Sequence, residues 1–309
     1  MESVAVSVLA AAVTAGTPIL YATLGELFAE RAGVLNLGVE GMMLVGAVSG
    51  LIVTVHSSNH WLGLLAAMVA GGLMALIHAV LTVSLRANQV VSGLALTIFG
   101  TGLSAYLGKN MIGIPVPSPF ESFELGFLSH IPLIGKILFQ HDVLVYLTYL
   151  LVPFYWYYLY QTPSGLNLRA AGENPGATDA AGLNVNRIRY SAVCLGGVLA
   201  GIGGAYLSLA YAPSWLENMT AGRGWIAVAL VIFATWDPLR AMLGAYLFGG
   251  IEALGFRLQA VGITVSPFYL KMLPYLFTIL VLILVTSSNR RLRVGAPAAL
   301  GLPFEREER

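Results

Sequence analysis

The chain has 309 residues, 57% of them apolar and only 10% charged, against about 25% charged in a soluble domain. That balance excludes an ordinary soluble enzyme and a disordered chain, and a net charge of +1 leaves no footprint for nucleic acid. The single cysteine, Cys194, excludes an internal disulfide framework and a cysteine-based zinc site.

A helix needs roughly 20 mostly apolar residues to cross a hydrocarbon core of ~30 Å. Such runs predict nine transmembrane helices, at about 4–24, 33–55, 62–85, 89–108, 142–161, 190–211, 224–236, 239–258 and 268–287. The runs are continuous rather than alternating, so a strand barrel is a poor reading. The fold class is therefore an all-α polytopic membrane protein, one transmembrane domain over 1–309. The opening Met-Glu-Ser-Val has no basic flank, so 4–24 reads as a retained helix and not a cleaved signal.

Lys and Arg counts predict the orientation. With nine spans, Arg31, Arg86, Arg169, Arg187, Arg189, Arg240, Arg290, Arg291, Arg293, Arg306 and Arg309 share one side. Lys109, Lys136, Arg223, Arg257 and Lys271 share the other, which divides the 16 cations eleven to five. The richer side is expected to be cytoplasmic, with the N-terminus out and the C-terminus in.

Two segments do not fit plain spans. Residues 33–41 set three glycines, Asn36 and Glu40 at a helix start, and 224–236 gives a helix of only ~20 Å. Broken or re-entrant helices are tolerated at membrane depth only against protein or a watery cavity, so both are candidate pathway elements. Glu40 and Glu252 are the clearest acidic residues inside spans, where such groups are costly and usually functional. Each is read as following a glycine-rich turn, an echo of two related halves. Glu40 has two readings: a pathway residue, or a structural carboxylate accepting backbone N–H bonds. Gly46 with Gly50, and Gly197 with Gly201, predict faces where helices approach closely.

Two loops are long enough to meet partners. Residues 109–141 form the longest outer segment, stiffened by Pro115, Pro117 and Pro119. It reads either as a lid or as a docking surface. Residues 162–189 form the main inner loop. There Asn174 is a candidate cap, Pro175 suits a first helical position, and Gly182 is a natural stop. Ala177, Ala180 and Ala181 then mark a short small-residue helix suited to a groove on another protein.

Familiar chemistry is missing. The pair Gly108-Lys109 is followed by Asn110, and Leu103 stands where a phosphate-binding loop needs glycine, so this chain is not expected to hydrolyse ATP. His56 and His60 lack the glutamate of a zinc-protease helix. Ser104 and His78 are the nearest approach to a serine nucleophile and base, without a supporting motif. No catalytic residue, metal site or bound cofactor is expected.

Three stretches carry a resemblance: Glu30–Ala47, around Leu-Asn-Leu-Gly-Val-Glu-Gly; Gly165–Gly182, with Arg-Ala-Ala-Gly-Glu-Asn-Pro-Gly-Ala-Thr-Asp-Ala-Ala-Gly; and Gly222–Ala234, followed by Trp236-Asp-Pro238. In this order they resemble the permease subunits of bacterial ABC importers in the branched-chain amino acid, ribose and nucleoside superfamily. The first motif is most similar to the nucleoside (guanosine) group. The resemblance implies a multi-pass subunit of the bacterial plasma (inner) membrane and a second permease, a different chain. It also implies a separate ABC ATPase using ATP-Mg and an extracytoplasmic substrate-binding (lipo)protein. It places the coupling contact in the inner loop, at Arg169, Gly172, Glu173, Asn174, Ala177, Ala180 and Gly182. Asn36, Glu40, Phe99 and Glu252 are the pathway candidates, with Phe99 offering a stacking face. No buried basic residue stands out, which favours a neutral solute. The competing readings are a permease for branched-chain amino acids or a simple sugar, and a proton-coupled secondary transporter using Glu40 and Glu252.

Overall fold

A computed structural model describes residues 4–260 and 295–305, together with single positions between 269 and 283. The predicted span 268–287 lies outside the continuously described residues. The helices in chain order are α1 (Val4–Arg31), α2 (Val39–Ser57), α3 (His60–Ala79), α4 (Gln89–Gly108), α5 (Ile134–Leu138) and α6 (Val143–Gln161). Then follow α7 (Pro163–Glu173), α8 (Pro175–Ala180), α9 (Val185–Tyr206), α10 (Arg223–Phe233) and α11 (Pro238–Ala260). Two-residue strands, β1 (Phe123–Glu124) and β2 (Gln140–His141), pair antiparallel within the 109–141 segment. That segment is thus partly ordered.

Seven of the described helices are long and apolar enough to cross a membrane, and α10 is a shorter apolar helix. The chain is an all-helical polytopic membrane protein. α9 runs through the centre, packed against α1, α2 and α3. Its glycines permit this: a methyl group on Gly46 of α2 would lie 2.6 Å from Gly201 Cα. One on Gly71 of α3 would lie 2.9 Å from the same atom. Helix contact in a membrane relies on close backbone packing rather than on expulsion of water. The opposite face of α3 exposes Leu62, Leu65, Val69, Leu73 and Leu76. That helical spacing marks an apolar stripe on the side of α3 away from the bundle.

The ends of the elements have local causes in most cases. Asn59, Asn88, Asp142, Thr162, Asn174 and Asn184 each cap the following helix with a side-chain oxygen. Asp142 also accepts from Tyr206 Oη at 3.2 Å. α1 departs from the sequence expectation. It continues past residue 24 to Arg31, carrying Glu26 and Glu30 into the interior, each about 1% exposed. Hydropathy alone ended the helix early because these carboxyls are polar. One oxygen of each is met inside the bundle, Glu26 by the Asn36 amide and Glu30 by the Trp236 indole.

Candidate functional site

Between α1 and α2 the chain is not helical over 32–38. An unwound segment inside a membrane protein must find hydrogen-bond partners for its backbone, and here side chains supply them. Leu35 N–H donates to Gln89 Oε1 (2.7 Å), and Asn36 N–H donates to Glu26 Oε1 (2.8 Å). His78 Nε2 meets Leu35 O at 3.0 Å, and Thr97 Oγ1 donates to Leu37 O at 2.8 Å. A carbonyl only accepts, so His78 carries its proton on Nε2, leaving Nδ1 to accept from Ser92 Oγ at 2.9 Å. Ser104 instead donates to Thr101 O. The Ser104–His78 pairing is therefore not formed.

The other interrupted element is α10. Its 11 residues span about 16 Å, roughly half a bilayer core. It begins at Gly222, whose φ of +85° suits glycine and whose missing side chain provides no cap. The cap comes from α2. Glu40 Oε1 accepts from Thr220 Oγ1 (2.6 Å) and Gly222 N–H (2.8 Å), while Oε2 accepts from Gly224 N–H (2.6 Å). A carboxylate there meets both the free amides and the positive end of the helix dipole. The fit admits no side chain at 224, because a methyl group on Gly224 would lie 2.6 Å from Glu40 Cα.

The far end of α10 is held from α1. Trp236 Nε1 donates to Glu30 Oε2 at 2.6 Å, and Arg31 donates to Trp236 O from Nε (3.2 Å) and Nη2 (3.0 Å). Residues 30–40 thus hold both ends of the half-helix: Glu30 and Arg31 before the break, Glu40 after it.

The pathway candidates divide. Glu40 and Glu252 are both brought to residues 222–224, for Glu40 accepts from Gly222 and Gly224 and Glu252 forms a salt bridge with Arg223. Arg223 also donates to Thr220 O at 3.2 Å and lies over the Tyr211 ring. Asn36 is buried at the break, its Oδ1 accepting from Gly38 N–H at 2.9 Å. Phe99 is about half exposed on α4 and is not gathered with them.

Two expectations are corrected. Glu252 does not follow a turn, because α11 is continuous through it. Buried basic residues exist as well: Arg31, Arg189 and Arg223 are each at most 9% exposed. Sequence reading passed them over because all three flank apolar runs, the ordinary place for a loop cation. It also missed Glu26, Gln89, Thr97, Thr220 and Trp236. The one local signal among these was the four-residue spacing of Glu26 and Glu30 on a single helix face.

In the 162–189 loop, Asn174 Oδ1 accepts from Ala177 N–H at 2.9 Å, with Pro175 at the first position of α8. Gly182 has φ +85°. Glu173, Asn174, Ala177, Ala180 and Gly182 are exposed, and Arg169 is half-buried over the Tyr160 ring. Gly172 is buried, packed on Arg31 O and Gly33. α7, a longer helix before α8, was not separately expected. Among the described residues no group of three or more His, Cys, Asp or Glu is placed to hold a metal.

The model of the family described as branched-chain amino acid transport system / permease component matches residues 8–286, and the chain belongs to that family. It is an ABC permease subunit and a multi-pass plasma-membrane protein. It is 42% identical to the putative glucose ABC transporter permease protein TsgC13 of Haloferax volcanii, over 99% of both chains. It is 34% identical to the guanosine ABC transporter permease protein NupQ of Bacillus subtilis, over 94% of both chains. It is 37% identical to the nucleoside ABC transporter permease protein NupC of Lactococcus lactis, over 87% of this chain and 88% of that one. No solved structure matches.

Proposed function

We propose that this permease conducts a neutral, hydrogen-bonding solute of the nucleoside class, and that a separate ABC ATPase drives it through the 162–189 loop. The observation that carries the neutral-solute reading is that both acidic pathway candidates at the interruption are already engaged. Glu40 accepts from the α10 amides and Glu252 pairs with Arg223, so neither stands there as a free counter-charge for a zwitterion or an ion. The nucleoside reading is supported by the likeness to NupQ and NupC. A simple sugar is the second reading, favoured by the likeness to TsgC13.

In this reading the N-terminus is outside, nine spans cross the bilayer, and 1–309 is one permease domain. A different second permease completes the pathway, and an extracytoplasmic binding protein delivers solute to the side of the 109–141 segment. Arg169, Glu173, Asn174, Ala177, Ala180 and Gly182 form the contact with the ATPase, which uses ATP-Mg. This chain holds no cofactor. Asn36, Glu40 and Glu252 shape the pathway from its wall, and Phe99 offers a stacking face. ATP binding and release shift the two membrane subunits between states facing opposite sides, each state favoured by its own contacts.

The test is uptake into proteoliposomes holding this chain, its second permease, the ATPase and the binding protein. Labelled guanosine, uridine, glucose, ribose and leucine are compared with and without ATP. ATP-dependent uptake of guanosine and uridine is expected. Uptake of glucose alone would replace the nucleoside reading with the sugar reading, and uptake of leucine would remove the neutral-solute argument.

A further inference from the structure

Four parts of the chain meet at one point behind the coupling loop. A methyl group on Gly33 (φ +88°) would lie 2.9 Å from Arg189 Nη2, 3.3 Å from Gly172 Cα and 3.4 Å from Ala299 O. Gly33 opens the unwound segment, Gly172 lies in the last turn of α7 and Arg189 lies in the first turns of α9. Ala299 belongs to the 295–305 segment, which runs across all three. Its Ala299 N–H donates to Gly172 O (2.9 Å), and Ala298 N–H donates to Glu173 Oε2 (3.2 Å). Arg189 Nη1 donates to Leu302 O at 3.1 Å.

Arg189 is only 1% exposed, yet among the described residues its Nε and Nη2 have no hydrogen-bond partner. Buried donors are nearly always satisfied, so two left open on one cation call for a physical reason.

We propose that Arg189, with the 295–305 strap it holds, is a positioning residue that fastens the α7–α8 loop to the unwound 32–38 segment, so that movement of the loop is delivered to the Glu40–α10 junction. Transmission between distant sites needs a contiguous element with two arrangements. The contacts supply the first requirement: loop to strap through Gly172 and Glu173, strap to α9 through Leu302, and loop to unwound segment through Gly172 and Gly33. The open donors of Arg189 supply the second. When the loop shifts, they take carbonyls of the strap or of the unwound segment that are out of reach in this arrangement.

This inference rests on the ATPase-coupled reading above, and the experiment separates the two. In proteoliposomes with the complete transporter, ATP hydrolysed is measured per guanosine or glucose taken up, whichever the wild type carries. Arg189→Met keeps most of the side-chain volume and removes the donors. It is expected to lower uptake about tenfold while hydrolysis stays within about twofold, so that the ATP-to-solute ratio rises. Arg189→Lys should give an intermediate ratio. A chain ending at residue 294 keeps Arg189 and lacks the strap, and it should raise the ratio similarly. A ratio equal to wild type in both the methionine variant and the shortened chain, whether the rates persist or fall together, overturns the proposal. Failure of both to assemble overturns it too, since the junction would then be merely structural. ATP-independent uptake by the wild type would sink the ATPase-coupled reading and this inference with it.

Discussion

In the 162–189 loop each helix start is served by the residue beside it. Thr162 caps α7, Asn174 caps α8 and Asn184 caps α9. At the interruption, α2 and α10 begin at Gly38 and Gly222, neither with a side-chain cap of its own. The amides of α10 are taken by Glu40, 182 and 184 residues away from its hydrogen-bond partners at 222 and 224. The same deficit, unpaired groups at a helix end, is met locally in one region and across the fold in the other. A locally capped element forms on its own terms and moves as a unit, which suits a part that docks. A remotely capped element is held only while two segments stay in register, which suits a part that changes state.

The contrast predicts an order of effects. Glu40→Ala leaves a hydroxyl and two amides without an acceptor, a cost of about 1–3 kcal/mol for each buried group. It should give the largest loss of thermal stability of the purified protein, with uptake abolished. Glu252→Leu removes both the charge and the acceptor that face Arg223 in this part-buried pair, a cost of up to about 3 kcal/mol. A Glu252→Leu, Arg223→Met double variant should recover part of that stability, and a double variant no more stable than the single would mean the pair is not coupled. Gln89→Ala frees only Leu35 N–H and should cost about 2 kcal/mol, read as a smaller shift in the same melting curve. Asn174→Ala removes one exposed cap, worth about 1 kcal/mol. It should leave the melting of the membrane bundle unchanged and weaken ATPase binding in a pull-down, with Asn174→Ser restoring it. The comparison breaks if Asn174→Ala melts the bundle as severely as Glu40→Ala. It sharpens if Glu40→Gln falls between wild type and alanine, because the amide oxygen keeps one acceptor and its nitrogen opposes the α10 amides.

The legibility of the site in the sequence follows the same division. The α8 cap, its proline and its stop at Gly182 are a run of adjacent residues, and the sequence places them correctly. The break near Asn36 and the shortness of α10 are legible too, because glycine and length are local properties. The partners are not. Gln89, His78 and Thr97 lie on α3 and α4 among apolar neighbours, and nothing in their own windows points to Leu35 or Leu37. Arg223 looks like a loop cation until Glu252 is seen opposite it. The neutral-solute argument then rests on different grounds: buried cations are present, and Arg223, within the residues that Glu40 caps, is paired with Glu252.

Composition and periodicity alone determined that this chain lies in a membrane as a bundle of helices. Within lipid every backbone group needs a partner, which leaves helices or a closed barrel, and continuous runs of about 20 apolar residues fit only the helix. Adjacent residues determined where most helices start. The tertiary structure decided which polar groups satisfy the broken segments, that Glu30, Arg31 and Glu40 grip both ends of α10, and that Gly33, Gly172, Arg189 and the strap converge. Those are pairings across the fold, fixed by how helices approach one another and invisible to any window along the chain.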